Sequence, residues 1–406
     1  MVGSMKNEEA FNNKESVETR PQLWTANYTL VWFSTLILFL AFTSMTPTLP
    51  IYMEQFGAIA GAAGFPMAAL TIGAVLSRPF AGWGLDLYGR KSVFWAGIIL
   101  FLLPSVAYIG MVEATFLIAL RFIQGIGWGF CNTAVNTVAS DNIPSHRVGE
   151  GMGLFTLTSS IAMLAGPALG LWVVDNHSFP LFFAASSIII IISAVPMLFI
   201  KYQLVEKKMQ RPKPVLMDKD GLKPALVVLL YCLSSSSAFS FVPVYAIAQG
   251  VPTTWVFFTS FPISSIITRP FFGRLLDKKG RKGYNLVVIM GIIAQILAML
   301  VLARTSSTAH LILGGFFFGI GFGAIQLAMF SETIRRVAAH KRGAANATFW
   351  TAFDLGIALG SILWGLVAAM WGYYLMFHLT IIFAFAALLV YFFFTPRSFS
   401  DRSANR

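Results

Sequence analysis

Charge is scarce in this sequence. Of 406 residues, 29 are Lys or Arg and 17 are Asp or Glu, so 11% are charged, against about 25% in an ordinary soluble domain. Cysteine is nearly absent. Cys131 and Cys232 both fall in apolar runs, which argues against a disulfide framework and leaves small-residue packing as their role. No Ser/His/Asp or metal-ligand set lies at one depth of those runs, so a hydrolytic enzyme is disfavoured and no catalytic residue is assigned. No acid-rich cluster offers a metal site, and no basic cluster suits a phosphate ester. A phosphate-binding loop is also missing. GIGWG (125–129) and GIGFG (319–323) follow no strand and precede no Lys-Ser/Thr pair. Close helix packing explains them better, and ATP-driven chemistry is disfavoured.

Apolar residues dominate instead. They make up 57% of the chain, with 38 Phe, a composition that belongs in a lipid bilayer. A membrane-spanning helix needs about 20 mostly apolar residues. Twelve such runs are expected, at about 28–50, 61–83, 92–112, 115–139, 150–174, 178–200, 222–247, 253–276, 284–304, 308–332, 343–369 and 371–394. Unbroken runs of this length exclude a membrane barrel, whose strands alternate. Lys and Arg collect on one side. Arg90, Lys91, Arg147, Lys278, Lys279, Arg281, Lys282, Arg335, Arg336, Lys341 and Arg342 all fall in loops facing the same way as the N-terminus, while the opposite loops hold little beyond Arg304. The positive-inside rule then puts both termini in the cytoplasm. It also accounts for the net charge of +12 without nucleic acid. The first 20 residues lack the apolar core and cleavage site of a signal peptide.

The expected layout is a cytoplasmic tail (1–25), a six-helix half (26–200), a cytoplasmic linker (201–221), a second six-helix half (222–395) and a tail (396–406). The linker carries Pro212 and Pro214, which oppose a continuous helix.

The two halves repeat each other. RPFAGWGLDLYGRK (78–91) matches RPFFGRLLDKKGRK (269–282) at nine of 14 positions. LPIYMEQFG (49–57) matches VPVYAIAQG (242–250), GIGWG matches GIGFG, and Phe155 and Gly166 match Phe349 and Gly360. Four landmarks in one order at nearly one offset imply duplication of a six-helix unit, and such repeats mark transporter folds.

Twelve spans in two repeated halves, with G-x-x-x-D-x-x-G-R-K between spans 2 and 3, resemble the major facilitator superfamily over about residues 25–395. The loop motif is carried by Gly82, Asp86, Gly89, Arg90 and Lys91, and again by Gly273, Asp277, Gly280, Arg281 and Lys282. ALRFIQGIGWG resembles a second motif of the family, with Arg121 as its arginine. AGPALG, with Gly166, Pro167 and Gly170, is similar to the antiporter motif of the 12-helix bacterial drug:proton exporter branch. Ala162, Ser361 and Trp364 depart from that longer pattern. The resemblance implies an all-α membrane protein of two six-helix halves related by a pseudo-two-fold axis. It implies proton coupling through Arg121, a substrate cavity at mid-depth and a bacterial-type plasma membrane. The energy source would be the proton gradient, with no cofactor, and the partners would be a small-molecule substrate, protons and the bilayer, the chain acting as a monomer.

The residues also carry an expectation of their own. Asp86 ends span 2, where the helix dipole disfavours a carboxylate. Arg90 is one compensating group, and the free N–H groups at the start of span 11, near Gly343, are another. By the repeat, Asp277 would face the start of span 5 near Gly149. The doubled hairpin then reads as a latch between the halves, the alternative being a solvated turn. Asp354 lies inside span 11, and an ionisable residue within a span is costly and usually functional. It is the candidate proton carrier, with a structural aspartate as the alternative. Span 1 holds no acid, and Glu54 lies just beyond it, so Arg121 has no acid opposite it in its own half. Glu332 reads as a salt-bridge member beside Arg335 and Arg336, and His378 as a packing residue. Phe42, Ser44, Trp128, Asn132, Asn136, Ser236, Phe239, Phe322 and Gln326 are expected to line the cavity, with Thr43 beside them. Aromatic walls with few charges suit a lipophilic or amphipathic solute. A proton-coupled exporter is the leading expectation, and an uptake symporter for a sugar, organic acid or peptide-like nutrient is the alternative.

Overall fold

The computed structural model describes residues 22–55, 65–110, 113–202 and 220–394. The tails, most of the 201–221 linker and the side chain of Glu54 lie outside the described residues. Among the described residues the regular structure is helical. Ten α-helices run in the order α1 Ala26–Gln55, α2 Phe65–Leu87, α3 Arg90–Ala107, α4 Ala114–Asp141, α5 Val148–Asn176, α6 Phe179–Leu198, α7 Leu222–Ala248, α8 Trp255–Ala303, α9 Thr308–Arg336 and α10 Arg342–Phe394.

Two of these are too long to be straight. Helix α8 has 49 residues and α10 has 53. At 1.5 Å per residue they would reach about 74 and about 80 Å, against a hydrocarbon core of about 30 Å. Each breaks at one glycine with positive φ, Gly280 at 48° and Gly372 at 80°. Only glycine takes that conformation without steric cost. The chain doubles back there. Leu275 meets Gly283 across the first break, and the rings of Trp364 and Phe383 lie 5.5 Å apart across the second.

The bundle is apolar outside. Phe393 is 83% exposed and Leu366 62%, while Ser234, Ser235, Ser236 and Ser237 are fully buried. Several buried hydroxyls bond back to their own helix, as Ser235 Oγ does to the Tyr231 carbonyl at 3.0 Å. This is the arrangement expected of helices in lipid, where polar groups turn inward and find partners within the protein. Eight helices are long and apolar enough to cross a membrane among the described residues. Helices α2 and α4 are not among them, although spans were expected at 61–83 and 115–139. Their polar residues are the reason. Arg78 and Ser77 in α2, and Arg121, Gln124, Asn132 and Asn136 in α4, are all buried, while apolar residues such as Ile72, Leu76, Phe80 and Phe116 are exposed on the outer face.

Glycines set the helix spacing. A Cβ at Gly125 would overlap the Leu70 carbonyl of α2, and one at Gly127 would overlap the backbone of Phe101 in α3. In the repeated stretch, Gly319 sits against Phe261 and Gly321 against Gly291, on the two arms of α8. The two glycine clusters therefore act as helix contacts. Replacing Gly125 by Val should overpack the α2–α4 crossing and cost about 1–3 kcal/mol or more. Thermal unfolding in detergent should show a clear drop for Gly125→Val and little change for Gly110→Ala, a site with open space around it.

Candidate functional site

The repeated hairpins lie at one end of the bundle, here the basic end. Asp86 sits one residue before the end of α2, and Gly89, with φ of 90°, turns the chain into α3. The Asp86 carboxylate faces the other half of the chain. Gly343 N–H donates to its Oδ1 at 3.0 Å and Ala344 N–H to its Oδ2 at 2.9 Å. Arg90 Nη1 stands 3.6 Å away. The second hairpin repeats this. Gly149 N–H and Glu150 N–H donate to Asp277 at 2.8 and 2.6 Å, and Arg335 pairs with the same carboxylate. Free N–H groups at a helix start attract anions. Close approach is possible because Gly82 lies against Gly343 and Ala347, and Gly273 against Gly149.

Further contacts bind the same end. Arg90 donates to Asp141 Oδ2, Leu85 O and Ala339 O, each at 2.9 Å. Arg342 Nη1 donates to Ser140 O at 2.8 Å and Asp141 Oδ1 at 3.1 Å. Asn346 Nδ2 reaches Thr137 Oγ1 at 3.0 Å. Asp141 closes α4 in an unremarked Ser-Asp-Asn stretch, and nothing in the local sequence announced its role as a shared acceptor. Lys91 and Lys282 are exposed. Glu332 pairs with Arg336 at 2.6 Å, and His378 Nδ1 lies 2.8 Å from the Tyr374 carbonyl of its own helix.

Deeper in the bundle lie three buried arginines. Arg78 meets Asp354 across the two halves, with Nε donating to Oδ2 at 2.9 Å and Nη2 at 2.8 Å. The Arg78 guanidinium also lies over the Trp350 ring, 5.6 Å from its centroid. The Asp354 side chain keeps 18% exposure against 2% for Arg78. The acid within span 11 therefore has a cation from the other half as its partner. Arg78 opens the repeated hairpin, and an arginine within an expected span was the available signal. Among the described residues its repeat mate Arg269 has no acid partner. Arg269 donates to the Thr156 carbonyl and to Gln326 Oε1, and lies 3.5 Å from Ser159 Oγ. Arg121 likewise faces a neutral group, Gln124 Oε1 at 2.6 Å. Gln124 is held in turn by Ser105 Oγ at 2.7 Å and Phe101 O at 3.3 Å.

At the other end the halves pack within themselves. Gly166 and Gly170 of α5 sit against Thr43 and Ser44 of α1, and Thr43 Oγ1 donates to Ala162 O at 2.8 Å. Pro167 lies inside α5 between them. In the second half Gly360 of α10 sits against Ser236 and Leu233 of α7. The expected cavity residues form two groups. Phe42 stacks on Trp128 at 3.9 Å, and Asn136 Nδ2 donates to Asn132 Oδ1 at 2.6 Å. Phe239 meets Phe322 at 5.6 Å, and Gln326 lies one turn further along α9, on Arg269. Ser44 and Ser236 bond to the carbonyls of Ala41 and Leu233 on their own helices. No group of three or more His, Cys, Asp or Glu able to hold a metal occurs among the described residues.

The arrangement can close one end of the bundle and leave the other free to part. The Major Facilitator Superfamily sequence profile matches residues 31–361. The multi-drug resistance efflux pump PmrA of Streptococcus pneumoniae serotype 4 is 27% identical over 380 residues, covering 88% of this chain and 93% of the pump. The quinolone resistance protein NorA of Staphylococcus aureus MSSA476 is 23% identical over 349 residues, covering 83% of this chain and 88% of NorA. Among solved structures, the human organic anion transporter MFSD10 superposes with a TM-score of 0.75 at 16% identity, covering 91% of this chain and all of that one. A bacterial homologue of the iron transporter ferroportin, in an outward-facing state with soaked iron, reaches 0.74 at 16% identity, covering 91% of this chain and 99% of that one. The chain belongs to the major facilitator superfamily, and it is a membrane transporter rather than an enzyme.

Proposed function

We propose that the chain is a proton-coupled exporter of amphipathic small molecules, working as a monomer by alternating access in a bacterial-type plasma membrane. The observation that carries the reading is the buried Arg78–Asp354 pair, which joins the two halves at 2.8 Å. Twelve spans follow if α8 and α10 each cross twice, dividing at Gly280 and Gly372. The halves 26–200 and 222–394 then carry six each, with the termini in the cytoplasm by the distribution of Lys and Arg. The names of PmrA and NorA support export. The stacked Phe42 and Trp128, and the ring cluster about Phe322, supply apolar surface for such a solute.

With the basic end in the cytoplasm, the structure is the cytoplasm-closed state. Asp86 and Asp277 act as latches, each holding the start of a helix from the opposite half. Asp354, the less buried partner of its pair, takes a proton from the outside. Protonation removes the negative charge that holds Arg78, and the cytoplasmic end is then free to part. Substrate enters from the cytoplasm, the proton leaves to that side, and the pair re-forms as the end closes. A proton moves inward and a substrate outward in each cycle. Export, and not only binding, requires that closure and proton loss occur together, and the Arg78–Asp354 contact ties the two.

Two measurements check this cycle. In inside-out vesicles with an acid interior, adding a lipophilic substrate should collapse the proton gradient for the wild type. Asp354→Asn should abolish that response, since the amide cannot carry the proton. A mutant that responds as the wild type does would move the coupling acid elsewhere. The latch is tested with a thiol at Thr137, which is buried at the inter-half contact. With Cys131 and Cys232 replaced, Thr137→Cys should label slowly from the cytoplasmic side. Adding Asp86→Asn removes a charged acceptor, a change of about 1.5–3 kcal/mol, and should raise the labelling rate by roughly tenfold or more. An unchanged rate would leave the hairpin as a turn without a gating role.

A further inference from the structure

Arg78, Arg121 and Arg269 are each no more than 2% exposed. Between the basic turns and the far ends of the helices, the described residues hold one carboxylate, Asp354. The repeat shows where a second one is missing. Arg78 stands four residues before Gly82, and Arg269 four before Gly273. Gly82 packs on Gly343, and Gly273 on Gly149. Asp354 follows Gly343 by eleven residues, and Ser160 follows Gly149 by eleven. One turn earlier the match holds again: Trp350 lies under Arg78, and the carbonyl of its counterpart Thr156 accepts from Arg269. The two inter-half contacts share one geometry, but the second has a serine where the first has its acid.

Arg269 is therefore a buried cation with neutral partners. Among the described residues its Nε finds no hydrogen-bond partner, and neither does the buried hydroxyl of Ser265 one turn before it. Both border Gly323 of α9, which has no side chain to fill the space. A guanidinium inside a bundle without a counter-charge is costly, and its position marks function.

We propose that the substrate supplies this counter-charge: the chain exports amphiphiles that carry a carboxylate, and Arg269 with Gln326 receives it. The proposal rests on the export reading and names its substrate class. Two of the three acceptors around Arg269, Thr156 and Ser159, belong to α5 in the other half, and only Gln326 belongs to its own. When the cytoplasmic end parts, α5 carries the first two away. The guanidinium then faces the opening with free donors, in the fork geometry that a carboxylate accepts bidentately. Phe322, one turn from Gln326 and 5.9 Å from Phe353, offers a surface for the apolar body.

The test is binding to the full chain in lipid nanodiscs without a proton gradient, by equilibrium dialysis against empty nanodiscs. Three probes share one naphthylbutyl body and end in a carboxylate, a primary amide or an ammonium group. The wild type should bind the carboxylate roughly ten- to a hundredfold tighter than the amide, the factor of a hydrogen bond to a charged group. Arg269→Gln should erase that preference. Ser160→Asp, which restores the missing acid within the chain, should also erase it and leave the amide affinity in place. Should Arg269→Gln fail to fold, as judged by its melting temperature, the wild-type series and Ser160→Asp still decide. Equal binding of carboxylate and amide by the wild type would overturn the proposal, as would a preference that survives Ser160→Asp. A favoured ammonium probe that also collapses the gradient in the inside-out vesicles described above would leave export standing and remove the carboxylate assignment. The expected binding pattern with no proton movement by any probe would remove the coupling and leave the assignment intact.

Discussion

The first N–H groups of a helix have no partner inside that helix. At the basic end of this bundle they are satisfied across the molecule. Helix α10 begins at Arg342 and α5 at Val148, and their unpaired N–H groups are met by Asp86 and Asp277 from the opposite halves. Each contact answers two difficulties at once, a carboxylate at the unfavourable end of its own helix and a helix start without acceptors. The packing above it depends on this. Gly82 and Gly273 must lack side chains, because a Cβ at either would strike the helix whose start is being held. Arg90 and Arg335 then stand where they neutralise the carboxylates.

The closure has a second layer nearer the membrane centre, and there the two halves differ. The Arg78–Asp354 contact is an ion pair with a ring beneath the cation. The Arg269 contact is a cation held by a carbonyl and an amide. Protonating the acid of a buried ion pair removes its charge and strands the cation, whereas the carbonyl and the amide that hold Arg269 do not titrate. The first contact is thus the one whose strength depends on the protonation state of a carboxylate. A duplicated fold that had kept both acids would have two such contacts to discharge in each cycle. With one, a single proton is enough on the proposed cycle.

Much of the layer at the basic end was legible in the sequence, because its physics is local and its spacing is doubled. The dipole argument at Asp86 needs only the end of α2 and the start of α10, and the repeat supplies Asp277 and Gly149. The deeper layer was not. Arg78 and Arg269 begin the same repeated stretch, but only the bundle brings Arg78 to Asp354, 276 residues away. The apolar runs also hide helix faces. In a helix apolar all round, no stripe says which side meets a neighbour. The sequence places Ser44 and Ser236 among the cavity candidates without saying which helix each one faces, and the structure packs them beside Gly170 and Gly360. The apolar content of α2 and α4 suggests spans, and the buried polar side chains of these helices account for their lower apolarity.

Arg121 shows which charges can take part in opening. Its partner Gln124 is tied to Ser105 and Phe101 of α3 and touches Met45 of α1. All of these lie in the N-terminal half. On the proposed cycle, rocking of one half against the other leaves such a network whole, and it then favours neither state. A contact that spans the halves differs between the states by its full worth. Arg78 and Asp354 form such a contact, and so do Arg269 and Thr156. On the proposed cycle these two places join the inter-half contacts of Asp86 and Asp277 as the points where a change of charge shifts the balance between the states. Helices α2 and α8 carry both arginines at the same point in the repeat, and on the proposed cycle this sets proton and substrate opposite each other on one interface.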